Sequence, residues 1–126
     1  MKYLFSFIVI VLLASVYTFA QDKKVIETEF KVSGNCNMCK NRIEKAVKID
    51  EVKFARWNKN TKMLKVAFNS SITADSLQKR IAAVGHDTEK FKADDNTYKE
   101  LPNCCKYNRA EEKRAEKNYS RHNHSD

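Results

Sequence analysis

The sequence predicts an α+β fold in which a four-stranded antiparallel sheet carries two helices on one face. Two observations support this fold class. Several short segments alternate apolar with polar residues, which is typical of half-buried strands, and two other segments repeat apolar residues at helical spacing. Their order along the chain is strand, helix, strand, strand, helix, strand, and together they occupy about 70 of the 126 residues, so one small domain is expected.

The first strand is predicted over residues 25–32, where apolar and charged side chains alternate. Ser33, Gly34 and Asn35 then break the alternation. A helix is predicted over residues 38–49, because apolar residues fall on one stripe at every third or fourth position. These residues are Cys39, Ile43, Ala46 and Val47.

A β-hairpin is predicted next, from residues 52–57 and 64–68, joined by a polar turn. Within the first of these strands the apolar phase slips between Phe54 and Ala55, which indicates a β-bulge. Leu64, Val66 and Phe68 alternate with less apolar residues in the second strand.

A second helix follows, with Thr73 or Asp75 as its N-cap and Gly85 as its end. Its apolar stripe consists of Leu77, Ile81 and Val84. Residues 88–93 are predicted as the last strand. The complete order is the split βαβ, or ferredoxin-like βαββαβ sandwich.

Residues 1–20 are predicted to be a signal peptide, because Lys2 precedes an apolar run and small residues at 18–20 end it. The alternative is an uncleaved membrane anchor, since the apolar run is nearly long enough to span a bilayer. With cleavage we expect an exported protein, located in the periplasm and without membrane contact. The chain then divides into this signal, a domain over residues 21–93, and an extension with a charged tail over residues 94–126.

The charge distribution and the motif content argue against several classes of function. The formal net charge is +8, but Lys and Arg are scattered among Asp and Glu, so nucleic-acid binding is not expected and an acidic protein partner is a better fit. The sequence shows no carboxylate dyad, no Ser/His/Asp set and no Gly-rich phosphate loop. We therefore expect a protein that is not an enzyme.

Cys36 and Cys39 form a Cys-x-x-Cys motif at the junction of the first strand and the first helix. Both sulfurs can face one point above the helix N-terminus, where unpaired N–H groups favour thiolates. Lys40 and Arg42 add positive potential nearby. Two close thiolates in an accessible loop suit a soft ion such as Cu(I) or Hg(II).

With this motif and element order, residues 25–93 resemble the heavy-metal-associated domain family, which includes copper chaperones and the periplasmic mercury-binding protein. The resemblance rests on the segment from Val32 to Cys39, the hairpin, and Gly85-His86-Asp87. The sequence departs from the family at Ser33-Gly34-Asn35, where the family usually has Gly-Met-Thr or Gly-Met-Ser.

The resemblance implies that Cys36 and Cys39 bind the metal and pass it on by ligand exchange. The expected ion is Cu(I), with Hg(II), Zn(II) or Cd(II) as alternatives. The expected partner is a metal-transporting ATPase or another metal-binding domain, and the expected state is a monomer or a metal-bridged dimer. His86 occupies a loop position that the family places close to the metal, as a third ligand or a group that tunes the thiolates; otherwise it is a surface turn residue.

Cys104 and Cys105 are not explained by the resemblance. Side chains of adjacent residues usually diverge, so both binding one ion would need an unusual backbone. Three interpretations stay open: one of the two completes a three- or four-sulfur site with Cys36 and Cys39, the pair forms disulfides, or it is a separate reactive site.

Two other functions compete with metal binding. An exported Cys-x-x-Cys at a helix N-terminus also suits a thiol–disulfide oxidoreductase. However, a thioredoxin-like protein needs a proline loop facing the cysteines, and the single proline, Pro102, follows the last predicted strand. A structural or interaction module with disulfide-bonded cysteines is the second alternative.

Overall fold

The computed structural model describes residues 23–122, so the predicted signal peptide lies outside the described residues. None of the described helices is both long and apolar enough to cross a membrane. The elements in chain order are β1 (Val25–Lys31), α1 (Asn37–Ala46), β2 (Val52–Trp57), β3 (Met63–Asn69), α2 (Ala74–Ala83), α3 (Asp95–Lys99), a 3-10 turn (Asn103–Cys105) and α4 (Arg109–His122).

The sheet is antiparallel, with β3 in the centre and β1 and β2 on either side of it. The predicted bulge in β2 is present but lies earlier than the sequence indicated, because the register shifts between Val52 and Phe54. Lys53 and Phe54 are both exposed, whereas Val52 and Ala55 pack against the core. Two successive outward-facing residues therefore account for the slip in the apolar pattern.

A fourth strand is not confirmed. Within residues 23–122 the sheet has three strands, and the segment predicted as the last strand contributes only an isolated bridge between Val32 and Thr88. Thr88 is engaged in a tight turn instead: its N–H donates to the Phe91 carbonyl at 2.7 Å, and its hydroxyl accepts from the Phe91 N–H at 3.0 Å. These bonds use backbone groups that a strand would offer to its neighbour.

Both long helices of the predicted domain pack against the same core. Ile43 of α1 and Ile81 of α2 are fully buried, as are Leu64 and Val66 of the central strand. Thr73 caps α2, because its hydroxyl accepts from the Ser76 N–H at 3.2 Å. The structure thus confirms an α+β fold with helices packed on an antiparallel sheet.

The C-terminal extension is part of this core. Leu101, Cys105 and Tyr107 are buried and belong to the same apolar cluster as the strands and helices. Gly85 ends α2 with φ +102°, a conformation that favours glycine, and Leu101 packs so closely that a Cβ at Gly85 would lie 2.9 Å from it. The packing of residues 101–107 brings Cys104 and Cys105 against the predicted domain of residues 21–93.

Candidate metal centre

The Cys-x-x-Cys motif lies where β1 gives way to α1. Cys36 is the N-cap residue of α1, with extended backbone, and Cys39 lies in the first helical turn. Their sulfurs are 3.5 Å apart. Cys36 is partly exposed, whereas Cys39 is completely buried and its sulfur accepts from the Asn35 N–H at 3.3 Å.

The second cysteine pair lies directly on the first. The Cys36 sulfur is 3.2 Å from that of Cys104 and 3.6 Å from that of Cys105, and the latter two sulfurs are 3.8 Å apart. The 3-10 turn therefore holds adjacent side chains closer than their usual divergence would suggest. All four cysteines, each within the described residues, carry free thiols.

Cys36 and Cys39 differ in the pKa of their thiols. Burial raises the pKa of Cys36, but hydrogen bonds from the Cys39 backbone N–H and from the Cys104 thiol outweigh it, so the pKa falls to about 6. For Cys39, burial dominates and raises the pKa to about 11. At neutral pH and without metal, Cys36 is therefore a thiolate and Cys39 a neutral thiol.

Lys40 and Arg42, the two positive residues expected near the motif, have different contacts. Arg42 reaches the cluster, and its Nη1 donates to the Cys105 sulfur at 3.3 Å. Lys40 instead pairs with Glu44 and donates to the Trp57 carbonyl at 3.1 Å. The charge that faces the sulfurs is therefore that of Arg42.

Met38 adds a further soft atom next to the cysteines, one that the sequence pattern did not place in the site. Its thioether sulfur lies 3.5 Å from the Cys104 sulfur, and its side chain is half exposed. Its position between the two motif cysteines was the only sequence signal for it. Thioether and thiolate ligands both favour Cu(I) among biological metals.

The extension is held in place on both sides of the cysteines. The Asn35 side-chain amide donates to the Lys106 carbonyl at 3.2 Å. This bond joins the loop that precedes Cys36, called the metal loop below, to the second cysteine pair. Arg109 then forms an ion pair with Asp87 at 2.8 Å and with Asp95 at 2.6 Å. These anchors connect residues far apart in the chain, so local sequence patterns did not reveal them.

His86 lies beneath the loop and is fully buried, so it is not a surface turn residue. Its Nδ1 is 2.8 Å from the Ser33 carbonyl, which fixes Nδ1 as the donor. Burial lowers the His86 pKa, so the ring is neutral at pH 7. Among the described residues, one group of three potential ligand atoms lies within 4.8 Å of one another, those of Cys36, Cys104 and Cys105, and His86 is not part of it.

No protein-family model matches this chain, and no curated protein sequence does. Among solved structures, a protein from Bacillus anthracis str. Ames named for copper-ion binding has a TM-score of 0.51 and 24% identity, and the alignment covers 54% of this chain and 100% of that one. This likeness supports the α+β fold of the domain.

Two further solved structures are similar. The CopZ metallochaperone has 26% identity and a TM-score of 0.48, covering 50% of this chain and 98% of that one. The N-terminal domain of a potential copper-translocating P-type ATPase from Bacillus subtilis has 28% identity and a TM-score of 0.48, covering 52% of this chain and 85% of that one.

Proposed function

We propose that this protein captures Cu(I) at the Cys-x-x-Cys loop and transfers it to a partner, without catalysing a reaction. The observation that supports this most strongly is the pair of sulfurs of Cys36 and Cys39, 3.5 Å apart at the N-terminus of α1. Thiolates are the ligands that Cu(I) prefers, and a partly exposed loop lets the ion enter and leave.

The acidity of Cys36 fits capture. A thiol with a pKa of about 6 is deprotonated at neutral pH, so the first metal–sulfur bond forms without removal of a proton. Cys39 then gives up its proton to solvent as the second bond forms. The buried position of Cys39 keeps that bond away from water.

Transfer by ligand exchange fits the same loop. A partner thiolate can approach the ion from the exposed side of Cys36, and one bond forms as another breaks while copper stays monovalent. A metal-transporting ATPase or another metal-binding domain, with two accessible thiolates, has the required chemistry. We further propose export to the periplasm, on the basis of the signal-peptide pattern at residues 1–20.

The test is an anaerobic Cu(I) titration of the reduced protein against a chromophoric Cu(I) chelator. We expect one equivalent to be taken up by the natural protein and a large loss of affinity in the Cys36→Ser/Cys39→Ser variant. Met63→Leu is the matched control, because it removes a soft sulfur from β3 and leaves both cysteines of the motif unchanged.

The result that would reject the proposal is equal uptake by the natural protein and the double serine variant, or no uptake by either. The same samples can be assayed for insulin reduction. Turnover there would favour the oxidoreductase alternative over metal transfer.

A further inference from the structure

We propose that Cys104 and Cys105 are metal ligands and that, together with Cys36, they form a three-sulfur site completed by the C-terminal extension. This inference rests on the proposed function, because it concerns the same ion. It assigns to the extension a chemical role that the Cys-x-x-Cys motif alone does not provide.

The three sulfurs form a nearly regular triangle, with separations of 3.2, 3.6 and 3.8 Å. The centre of such a triangle lies at its side divided by √3 from each corner, here about 2.0 Å. Metal–thiolate bonds of roughly 2.3 Å are typical for a first-row ion of this kind, so outward movement of a few tenths of an ångström would admit one. Trigonal coordination by three sulfurs therefore requires only a small adjustment.

Cys39 lies outside the triangle of the other three sulfurs. Its sulfur lies 3.5 Å from that of Cys36, but it is completely buried and does not belong to the group of three that lie within 4.8 Å of one another. Cys104 is exposed, so the triangle is open to solvent on one side. We assign Cys39 as the ligand that takes over when the extension releases the ion.

The triangle is built by fixed contacts and does not depend on chance placement of a tail. Cys105 is fully buried, and Leu101 and Tyr107 on either side of it belong to the core. The Asn35 amide joins the metal loop to the Lys106 carbonyl. The two cysteine pairs are therefore held together before any metal arrives.

The negative charge of a three-thiolate copper site is partly balanced by a nearby arginine. Three thiolates around one Cu(I) carry a net charge of −2, and the Arg42 guanidinium that donates to Cys105 offsets part of it. Ligand protons leave to solvent when the metal binds. On transfer, a partner thiolate forms a bond as the bond to exposed Cys104 breaks, copper stays monovalent, and the released sulfur takes up a proton.

The consequence of the two additional ligands is that the protein retains Cu(I) for longer. A partner must replace the Cys104 bond and then the Cys105 bond to take the ion, so the extension slows loss of copper to competing small ligands. Loss of groups that only support a metal's ligands typically lowers affinity about ten- to hundredfold, and loss of direct ligands should cost at least as much.

The experiment is X-ray absorption on the Cu(I)-loaded protein, with the sulfur coordination number as the readout. We expect three sulfurs in the natural protein, two in Cys104→Ser/Cys105→Ser, and at least about tenfold weaker Cu(I) binding in that variant. Asn103→Ser is the matched control, since it changes the same exposed turn and keeps both thiols, and it should still show three sulfurs.

Folding of each variant is checked by the emission of Trp57, the only tryptophan in the chain. Cys104→Ser alone replaces an exposed side chain, so it keeps the test valid if the double variant is misfolded; we expect it to release Cu(I) to a chelator faster than the natural protein.

Two sulfurs in the natural protein, or equal affinity of the natural and double-serine proteins, would overturn the inference and leave the proposed function intact. An absence of Cu(I) uptake by the natural protein would instead reject both.

Discussion

The hydroxyl of Tyr107 accepts from the Asp87 N–H at 2.8 Å and also donates to the Gly85 carbonyl at 3.1 Å. One phenol thereby fastens the extension to the loop after α2. The residue between these partners, His86, reaches the Ser33 carbonyl just before the metal loop. A continuous set of contacts thus links Tyr107 to the backbone that presents Cys36.

Removal of this hydroxyl should weaken the fold. Tyr107→Phe leaves a buried N–H and a buried carbonyl without their partner, and we expect the free energy of unfolding to fall by about 1–3 kcal/mol. Urea denaturation followed by Trp57 emission measures this. Lys106→Ala, at the neighbouring exposed position, is the control and should change stability by less than about 0.5 kcal/mol. Equal midpoints for Tyr107→Phe and the natural protein would show that the bridge contributes nothing.

Alkylation of the metal-free, reduced protein should select one cysteine. The Cys36 pKa of about 6 lies well below the ordinary 9.0, so its thiolate fraction rises through pH 6 and is nearly complete above pH 7. We expect Cys36 to react first with iodoacetamide at pH 7, with a rate that levels off above that pH. Cys39, with a pKa of about 11, should stay unmodified. Peptide mass spectrometry across pH 5–9 checks this, and a midpoint near 9 for Cys36 would contradict it.

His86 should make the fold sensitive to mild acid. Burial lowers its pKa below the ordinary 6.5, so below pH 6.5 the unfolded chain binds a proton that the folded protein does not. The stability that this residue contributes is fully present above pH 6.5 and is lost as the pH falls toward the lowered pKa.

The measurement is the urea midpoint at pH 7.5, 6.5 and 5.5. We expect the natural protein to lose more stability across this range than His86→Gln, whose side chain does not titrate. The comparison isolates His86, since the cysteines are common to both proteins. Parallel pH profiles for the two proteins would reject the prediction.

Gly34 should not tolerate a side chain. A Cβ there would lie 3.0 Å from that of Cys39 and 3.1 Å from the Trp57 ring, both of which are buried. We expect Gly34→Ala to destabilise the protein by about 1–3 kcal/mol through overpacking, and to shift Trp57 emission to longer wavelength. Ser70→Ala, in an exposed turn, is the matched control. An unshifted spectrum with unchanged stability would show that the loop has room to spare.

The order of β1, α1, β2, β3 and α2 could be predicted because each is encoded locally. Alternating residues mark strands, and a repeat of three or four marks helices. The turn at Gly85 was equally readable, since a positive φ favours glycine. The segment after it was not: Thr88 and Phe91 bond to each other, and the choice between that turn and a strand depends on which backbone partners are within reach.

The sequence by itself determined the order of β1, α1, β2, β3 and α2, the Cys-x-x-Cys at the start of α1 and the soft-metal character of its thiols, because these follow from side-chain period and ligand chemistry. Only the tertiary structure decided where Cys104 and Cys105 lie, that His86 is buried, and that Arg42 rather than Lys40 faces the sulfurs. These relations join residues up to 69 positions apart, as with Cys36 and Cys105, and depend on packing of the whole chain. Nothing in the local spacing of residues fixes such distances.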